Sequence, residues 1–293
     1  MKMRKVLALS IGLIIGISGF GQEVELNWKI SPDETLSYQT IMHEIDTSTA
    51  EFNFGGLFEA FSDSSREKTA ETKSLFKELN ESFKSIDLLT YLTNSGKGTV
   101  EIVMKIRPEE APEKSEADTT ENEIAEMMKM MQSMNQGTML RGSVYETGGI
   151  HSFWVKNNQR NLIALFFQLP AKPVKVGDSW ELDVNLIAND QNFECESASK
   201  VNKVTVTDLR KANGETIAVL KYEIEEFVDG TFHAPAMFGN GGPTKTMMKF
   251  TYQAIAEFSV DRGRWVSYDG IMGFTSNGVM TAKSKKKFSL IAE

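Results

Sequence analysis

Cysteine and histidine are scarce in this chain of 293 residues. One cysteine excludes an intrachain disulfide framework and any metal site built from several thiolates. The three histidines, His43, His151 and His233, are far apart and form no HxH or HExxH spacing, so we predict no metal site. We interpret Cys195 as a small buried apolar residue, because free cysteine is among the most buried residue types.

Positive charge is also in short supply. The chain has 32 Lys plus Arg against 40 Asp plus Glu, giving a formal charge of −8. Proteins that bind nucleic acids neutralise phosphates with cationic side chains, so the balance argues against a nucleic-acid partner.

The chain lacks an uncharged run long enough to span a bilayer. Its longest apolar run, Val6 to Phe20, falls short of the roughly 20 residues of a membrane helix. Lys2, Arg4 and Lys5 precede this run, and glycines at 19 and 21 form a small-x-small cleavage site. Residues 1–21 are therefore predicted to be a signal peptide, which predicts an exported protein of the periplasm, outer envelope or extracellular space. Its removal would change the net charge from −8 to −11 and leave no spanning segment.

Sequence signatures of catalysis are missing as well. There is no GxSxG elbow, and the glycine-rich run at 239–246 fails as a phosphate loop because Thr244 precedes Lys245 and Pro243 removes a backbone donor. We predict no catalytic residue, no cofactor and no enzyme activity. Paired carboxylates acting on glycans remain a third and weaker hypothesis, because 40 acids offer many pairs.

Alternating apolar residues predict β-strands over much of the chain. The stretches Leu36–Ile45 and Thr99–Ile106 read as strands, and seven alternate positions from Met248 to Val260 are apolar. Similar alternation at 204–206 and 218–224 favours a mainly antiparallel sheet. Two similar motifs, at 146–153 and 261–268, each predict a tight turn built on an acid and a glycine.

Two segments predict helices. Leu75, Leu79, Phe83 and Ile86 follow helical spacing, although Ile86 to Thr93 is alternatively the first arm of a hairpin that turns at 94–98. The second helix carries an apolar face made of Ile124, Met127, Met128, Met130, Met131 and Met134, all within an arc of about 160°.

The methionine face has three interpretations. It packs on the sheet, holds Cu(I) through thioethers, or offers an adaptable surface to a lipid-like ligand or a partner. A copper site needs convergent ligands that one stripe does not supply. The ligand-binding residues predicted from this face are Met127, Met128, Met131 and Met134.

Charged segments complete the pattern. Eight acids against one lysine lie between Pro108 and Glu126, and we interpret 108–120 as a flexible acidic loop within a single β-rich domain of residues 22–293. Two sheet subdomains joined near residue 110 are the alternative. Four lysines near the end, Lys283, Lys285, Lys286 and Lys287, are interpreted as protecting an edge strand, or else as contacting anionic lipid or an acidic partner.

A proline-rich box follows the apolar Leu162–Phe167. The segment Leu169-Pro170-Ala171-Lys172-Pro173-Val174-Lys175-Val176-Gly177-Asp178-Ser179-Trp180 resembles a box in uncharacterised exported β-rich proteins of Gram-negative bacteria. We predict a fold-defining loop in which Pro170 and Pro173 hold an extended approach, Gly177 and Asp178 turn, and Trp180 anchors the next strand. The resemblance implies no activity.

These patterns predict a mainly β, α+β fold: a curved antiparallel sheet or half-barrel with two or three packed helices. Its shape is similar to periplasmic lipoprotein carriers at the level of the fold alone. The leading functional hypothesis is a non-catalytic envelope protein that binds an apolar small molecule or lipid. The second is an interaction or structural subunit of an outer-envelope assembly, with an envelope protein as partner.

Overall fold

The fold is mainly β, and its strands form one large antiparallel sheet. The computed structural model describes residues 22–45, 49–51, 85–106, 138–153, 157–187, 193–233, 243–278 and 281–293. The strands are β1 (Thr35–Glu44), β2 (Thr49–Glu51), β3 (Ser85–Asn94), β4 (Thr99–Ile106), β5 (Thr138–Tyr145), β6 (Ile150–Phe153), β7 (Ser179–Trp180), β8 (Phe193–Ala212), β9 (Glu215–Phe232), β10 (Thr244–Ser259), β11 (Arg264–Asn277) and β12 (Thr281–Ala292). In the described ranges, one helix, α1 (Asn157–Phe167), accompanies them.

The sheet is open, and its two edges are β6 and β7. Its order is β6-β5-β4-β3-β1-β12-β11-β10-β9-β8-β7, with β2 also paired to β12. Strand β12 therefore lies inside the sheet between β1 and β11, so the edge-strand interpretation of its lysines is wrong. Its pairing with β11 is local, whereas its pairing with β1 brings together residues as distant as Tyr38 and Ala292, and no local pattern encodes that contact.

Local alternation and turn residues explain the strands. Strand β4 matches the predicted stretch Thr99–Ile106, and β10 contains most of the predicted alternating run. The hairpin interpretation of Ile86 to Thr93 is confirmed, since Ile86 lies in β3, which pairs with β4. At this turn the Gly96 N–H donates to the Asn94 side chain at 2.6 Å, and Gly96 has φ +72°.

The two predicted acid–glycine turns are confirmed as hairpin turns. One joins β5 to β6 and the other joins β10 to β11, with φ +91° at Gly148 and +63° at Gly263. The N-terminal segment bonds both of them, because the Trp28 N–H donates to the Glu146 carbonyl and the Lys29 N–H donates to the Gly263 carbonyl. Hydrogen bonds of residues 24–30 thus connect the β5–β6 hairpin to the β10–β11 hairpin.

The core lies on one side of the sheet, here called the inner face. Helix α1 packs there through Ile163, which lies so close to Gly142 in β5 that an added Cβ would sit 2.4 Å from its Cδ1. The last carbonyls of a helix lack intrahelical partners. Three buried side chains supply them: Tyr268 donates to Leu165, Trp265 to Phe166 and Trp28 to Phe167, at 2.7, 2.8 and 3.0 Å.

The predicted number of helices is not confirmed. Residues 75–84 of the first predicted helix, and all of Ile124–Met134, lie outside the described residues, as does the acidic loop 108–120. The predicted signal peptide, residues 1–21, also lies outside them.

The prediction that Cys195 is buried is wrong, because its side chain is exposed. It belongs to β8, where Glu194 through Val201 are all exposed. The alternation of Cys195 with glutamates suggested that its side chain faces inward. Strand β8 is next to the edge of the sheet, however, and an inward-facing side chain there is not necessarily buried by other residues.

Candidate functional site

The proline-rich box docks on β8. Its Val174 pairs with Val24 in an isolated bridge, and the Gly177 N–H donates to the Val206 carbonyl at 2.8 Å. Gly177 has φ +92°, and the Asp178 carboxylate accepts the Lys175 N–H at 3.0 Å, which closes the turn. These contacts position the start of β7 against β8.

The remaining predicted residues of the box lie around this turn. Pro170 and Pro173 lie between α1 and β7 on either side of a bend at 171–172, where Ala171 has φ +53°, so the chain does not run extended throughout. Trp180 is half-buried against the core. The strand after the turn is short, since β7 ends at Trp180. The chain then leaves the sheet edge as residues 181–187, here called the crossing segment.

Side chains, rather than a neighbouring strand, hold the crossing segment. Asn202 exchanges two hydrogen bonds with the Leu182 backbone, at 3.0 and 2.6 Å. Glu226, 6% exposed, accepts the N–H groups of Leu186 and Ile187 at 2.8 and 2.9 Å. Lys200 lies 2.9 Å from the same carboxylate and donates to the Val184 carbonyl at 2.6 Å. A buried, paired carboxylate thus fixes the segment over the inner face.

Tyrosine hydroxyls are enclosed beneath α1. Tyr268 donates its only hydroxyl proton to Leu165, so the Tyr252 hydroxyl, 2.7 Å away, donates to Tyr268. The neighbouring Tyr222 hydroxyl is buried near that of Tyr268 but makes no hydrogen bond of normal geometry in the described structure. Burial raises the pKa of all three groups, and it raises the pKa of Tyr38 to about 12. These groups stay neutral at ordinary pH and belong to the packed core.

The inner face continues past the core toward the end of the sheet where β9 ends and β10 begins. Ten residues separate Tyr222 from Phe232 along β9, about 33 Å of strand at 3.3 Å per residue. Five half-buried apolar side chains lie on this stretch of the inner face, and we call them the distal patch: Phe232, Met248, Phe250, Met272 and Phe274. Their shared face follows from the register, which pairs Phe250 with Phe274 and Tyr252 with Met272.

A charged pair lies beside the distal patch. Register places Lys286 of β12 between Met272 of β11 and Glu44 of β1, all on the inner face. Burial lowers the pKa of Lys286, and the nearby Glu44 carboxylate opposes that shift. A cation partly withdrawn from water beside apolar side chains gives this region an amphiphilic character.

The opposite, outer face carries a shallow groove of about 330 Å³ at β4, β5 and β6. Ser143, 5% exposed, shares hydrogen bonds with His151 Nδ1 at 2.9 Å and Ser152 Oγ at 2.7 Å, and Arg141 and Glu101 line the groove. The bulge in the β5–β6 register brings His151 and Ser152 to one side of Ser143. The groove offers polar contacts for a small ligand but is open to solvent.

Sequence reasoning missed the distal patch and Glu226. The predicted ligand residues Met127, Met128, Met131 and Met134 lie outside the described residues, so their role stays a prediction. A signal for Glu226 was present, since an acid occupies an inward position in the alternation of Tyr222, Ile224 and Val228.

No helix in the described ranges has the length and apolar character needed to cross a membrane. The same ranges contain no group of three or more His, Cys, Asp or Glu side chains placed to hold a metal ion. No protein-family model, curated protein or solved structure matches the chain.

Proposed function

We propose that this protein binds an apolar or lipid-like ligand at the distal patch, as a non-catalytic protein of the cell envelope. The observation that carries the proposal is that the apolar side of β9 to β11 continues beyond the part that α1 covers. There Phe232, Met248 and Phe250 pack against a small cluster of Ile187, Phe193 and Val228 and are still only half-buried. Half-buried aromatic and thioether side chains adapt to ligands of varied shape. Beside the patch, Lys286 and Glu44 form a charged pair that suits contact with the polar head of an amphiphile.

The proposal includes the segment Met127–Met134. Residues 107–137 connect β4 to β5 at the end of the sheet where β1 and β9 also finish. We propose that this segment forms a helix whose methionines face the ligand, completing a half-barrel with packed helices. Far-UV circular dichroism tests the helical part, because α1 alone supplies only eleven helical residues. A helical signal no larger than that contradicts it.

We also propose that the protein is exported after removal of residues 1–21. Supporting this, Lys2, Arg4 and Lys5 precede the uncharged run Val6 to Phe20, and glycines at 19 and 21 form a small-x-small site directly before Gln22. The intact mass of protein recovered from the cell envelope should correspond to a start at Gln22. Recovery of a full-length chain from the cytoplasm contradicts export.

A pair of variants on one strand tests ligand binding. Phe250 faces the distal patch, while Ile255 lies on the outer face of the same strand with 49% exposure. Titration with a fluorescent fatty acid should show binding by the wild type. Phe250→Glu should weaken it about tenfold or more, since a buried Phe side chain contributes about 1.5–3 kcal/mol. Ile255→Glu should leave it unchanged.

The same experiment can overturn the proposal. Equal affinities for both variants, or no binding by the wild type, would contradict a ligand site at the distal patch. Thermal unfolding of each variant separates lost binding from lost folding, and Phe250→Ala provides a milder change at the same position. Organic extraction of the purified protein, followed by mass spectrometry, should recover a copurified lipid.

A second candidate function is that of a subunit in an envelope assembly. The observation that favours it is the exposed stretch Glu194–Val201 of β8, which lies next to the edge of the sheet. Unpaired strand edges recruit further strands. A protein that stays monomeric and captures no protein from envelope extracts would contradict this function.

A further inference from the structure

Strand β8 has twenty residues, but β7 covers only a small part of its outer side. The pairing with β7 is limited to Ser179 with Thr205 and Trp180 with Val204. From Phe193 to Lys203, β8 has β9 on one side and no strand partner on the other within the described ranges. Among the residues that the structure describes, none covers this length, since Glu194 through Val201 are all exposed and Val201 is 52% exposed.

The direction of the free backbone groups follows from the contact with the box. Both the N–H and the carbonyl of Val206 bond box residues, so at this position β8 points its backbone polar groups away from β9. In an antiparallel pair this direction alternates along the strand. The register between β8 and β9 is unbroken from Ser197 to Val206, so Ala198, Lys200 and Asn202 also point their backbone groups outward.

The crossing segment leaves these groups open. It runs beside this stretch of β8, yet it contacts the Asn202 and Lys200 side chains instead of their backbone. Glu226 holds its far end on the inner face, and none of its described hydrogen bonds is made to the β8 backbone. Polar side chains therefore hold residues 181–187 on the inner face. Three successive outward positions of β8 lack a backbone partner in the described structure.

The exposed stretch carries charges of opposite sign at its two ends, so two antiparallel copies of it are complementary in charge. Two exposed charges lie near its ends, Glu194 at the start and Lys203 at the end. Between them, Glu196 and Lys200 are already paired with Lys245 and Glu226. A second copy running antiparallel places acids of one strand near bases of the other. Parallel addition would instead bring like charges together, and like charges across strands are destabilising.

We propose that two copies of this chain associate by antiparallel pairing of β8 with β8, about a two-fold axis at Ser199. In this register Ala198 lies opposite Lys200 of the second copy, and both have outward backbone groups, which the ladder requires. Ser197 lies opposite Val201, whose exposed side chain gains cover. A register centred on Lys200 would place two lysines face to face. The two sheets become one continuous sheet with their inner faces on the same side.

Disulfide trapping tests both the contact and its register. A residue on the two-fold axis meets its own copy at a separation that a disulfide can bridge. In a Cys195→Ser background, Ser199→Cys should therefore form a disulfide-linked dimer under mild oxidation. In the wild type, the two Cys195 thiols should stay unlinked, because this register separates them by about 27 Å, eight residues of strand. Thr205→Cys, beneath β7, is a second control.

A charge exchange tests the chemistry of the contact without any cross-link. Lys203→Glu alone and Glu194→Lys alone each create repulsive pairs across the axis and should weaken dimerisation about tenfold, as measured by sedimentation velocity. Mixing the two variants restores attraction in both pairs, so heterodimers should form at wild-type affinity. Both side chains are exposed, so folding should be unaffected.

These experiments can refute the association. The wild type should sediment at twice the monomer mass in a concentration-dependent equilibrium. A wild type that is monomeric at all concentrations overturns the proposal, and so do equal cross-linking yields at positions 195, 199 and 205. Failure of the mixed variants to form heterodimers overturns the charge pairing. Ligand binding at the distal patch does not enter any of these results.

Discussion

Two tyrosines in the same cluster should respond in opposite ways to the same substitution. Tyr222 and Tyr268 are both fully buried, with ring centroids 5.2 Å apart. Replacing either by Phe removes one hydroxyl and keeps the ring. The difference lies in hydrogen bonding, since the Tyr268 hydroxyl bonds both Leu165 and Tyr252, whereas the Tyr222 hydroxyl lies near Tyr268 but makes no hydrogen bond of normal geometry in the described structure.

The magnitudes follow from the groups left without partners. Tyr268→Phe leaves the Leu165 carbonyl and the Tyr252 hydroxyl without their hydrogen-bond partner. Each buried polar group without a partner lowers the free energy of unfolding by about 1–3 kcal/mol. We expect the free energy of unfolding to fall by about 2–4 kcal/mol. Tyr222→Phe removes a hydroxyl that has already lost its bonds to water, so the free energy of unfolding should stay constant or rise by about 1 kcal/mol.

Urea unfolding of the wild type and both variants measures the two changes. Near-ultraviolet circular dichroism confirms that each variant keeps the packed aromatic cluster. Equal destabilisation by the two substitutions would refute the reasoning, because it would mean that the Tyr222 hydroxyl also donates a hydrogen bond that stabilises the fold.

Three further outcomes are expected. In alkaline titrations, the free energy of unfolding should fall steeply above pH 10, by up to about 1.4 kcal/mol per pH unit for each buried tyrosine. The reason is that the unfolded chain loses tyrosine protons in this range, whereas the buried groups keep theirs. A flat profile to pH 11 contradicts this. Gly148→Ala should cost far more than Gly177→Ala in thermal unfolding, since both have positive φ but the Gly148 Cβ would lie 2.2 Å from Leu169 Cβ, whereas the Gly177 Cβ has open space. Glu226→Gln should destabilise the fold by about 2 kcal/mol and speed hydrogen exchange of the two amides it accepts, while Glu223→Gln, half-exposed, should do neither.

The local sequence pattern predicted the strands well, because alternating apolar residues and the turn residues that bound a strand are close together in the sequence. Alternation and bounding turn residues located β4 and most of β10, and the Asn94 turn identified the first long hairpin. The order of strands required contacts between distant residues, which one sequence does not reveal. The position of β12 between β1 and β11 is such a contact.

Helix α1 shows why the secondary structure of an uninterrupted apolar run cannot be predicted from its pattern. Residues Leu162–Phe167 are apolar on all sides, so helix and buried strand look alike. Its final carbonyls are satisfied by Trp28, Trp265 and Tyr268, which lie about 100 residues or more away in sequence. The distal patch was missed for the same reason, because its half-buried state depends on where α1 stops.

The central position of β12 has a consequence for biosynthesis. The ribosome makes β1 to β6 first and β7 to β11 next, yet within the described strands these two groups join only through β12. The sheet cannot become continuous until residues 281–292 have been synthesised. Until this strand is made, a nascent chain therefore presents two incomplete sheets with unpaired edges, a state that holding chaperones recognise.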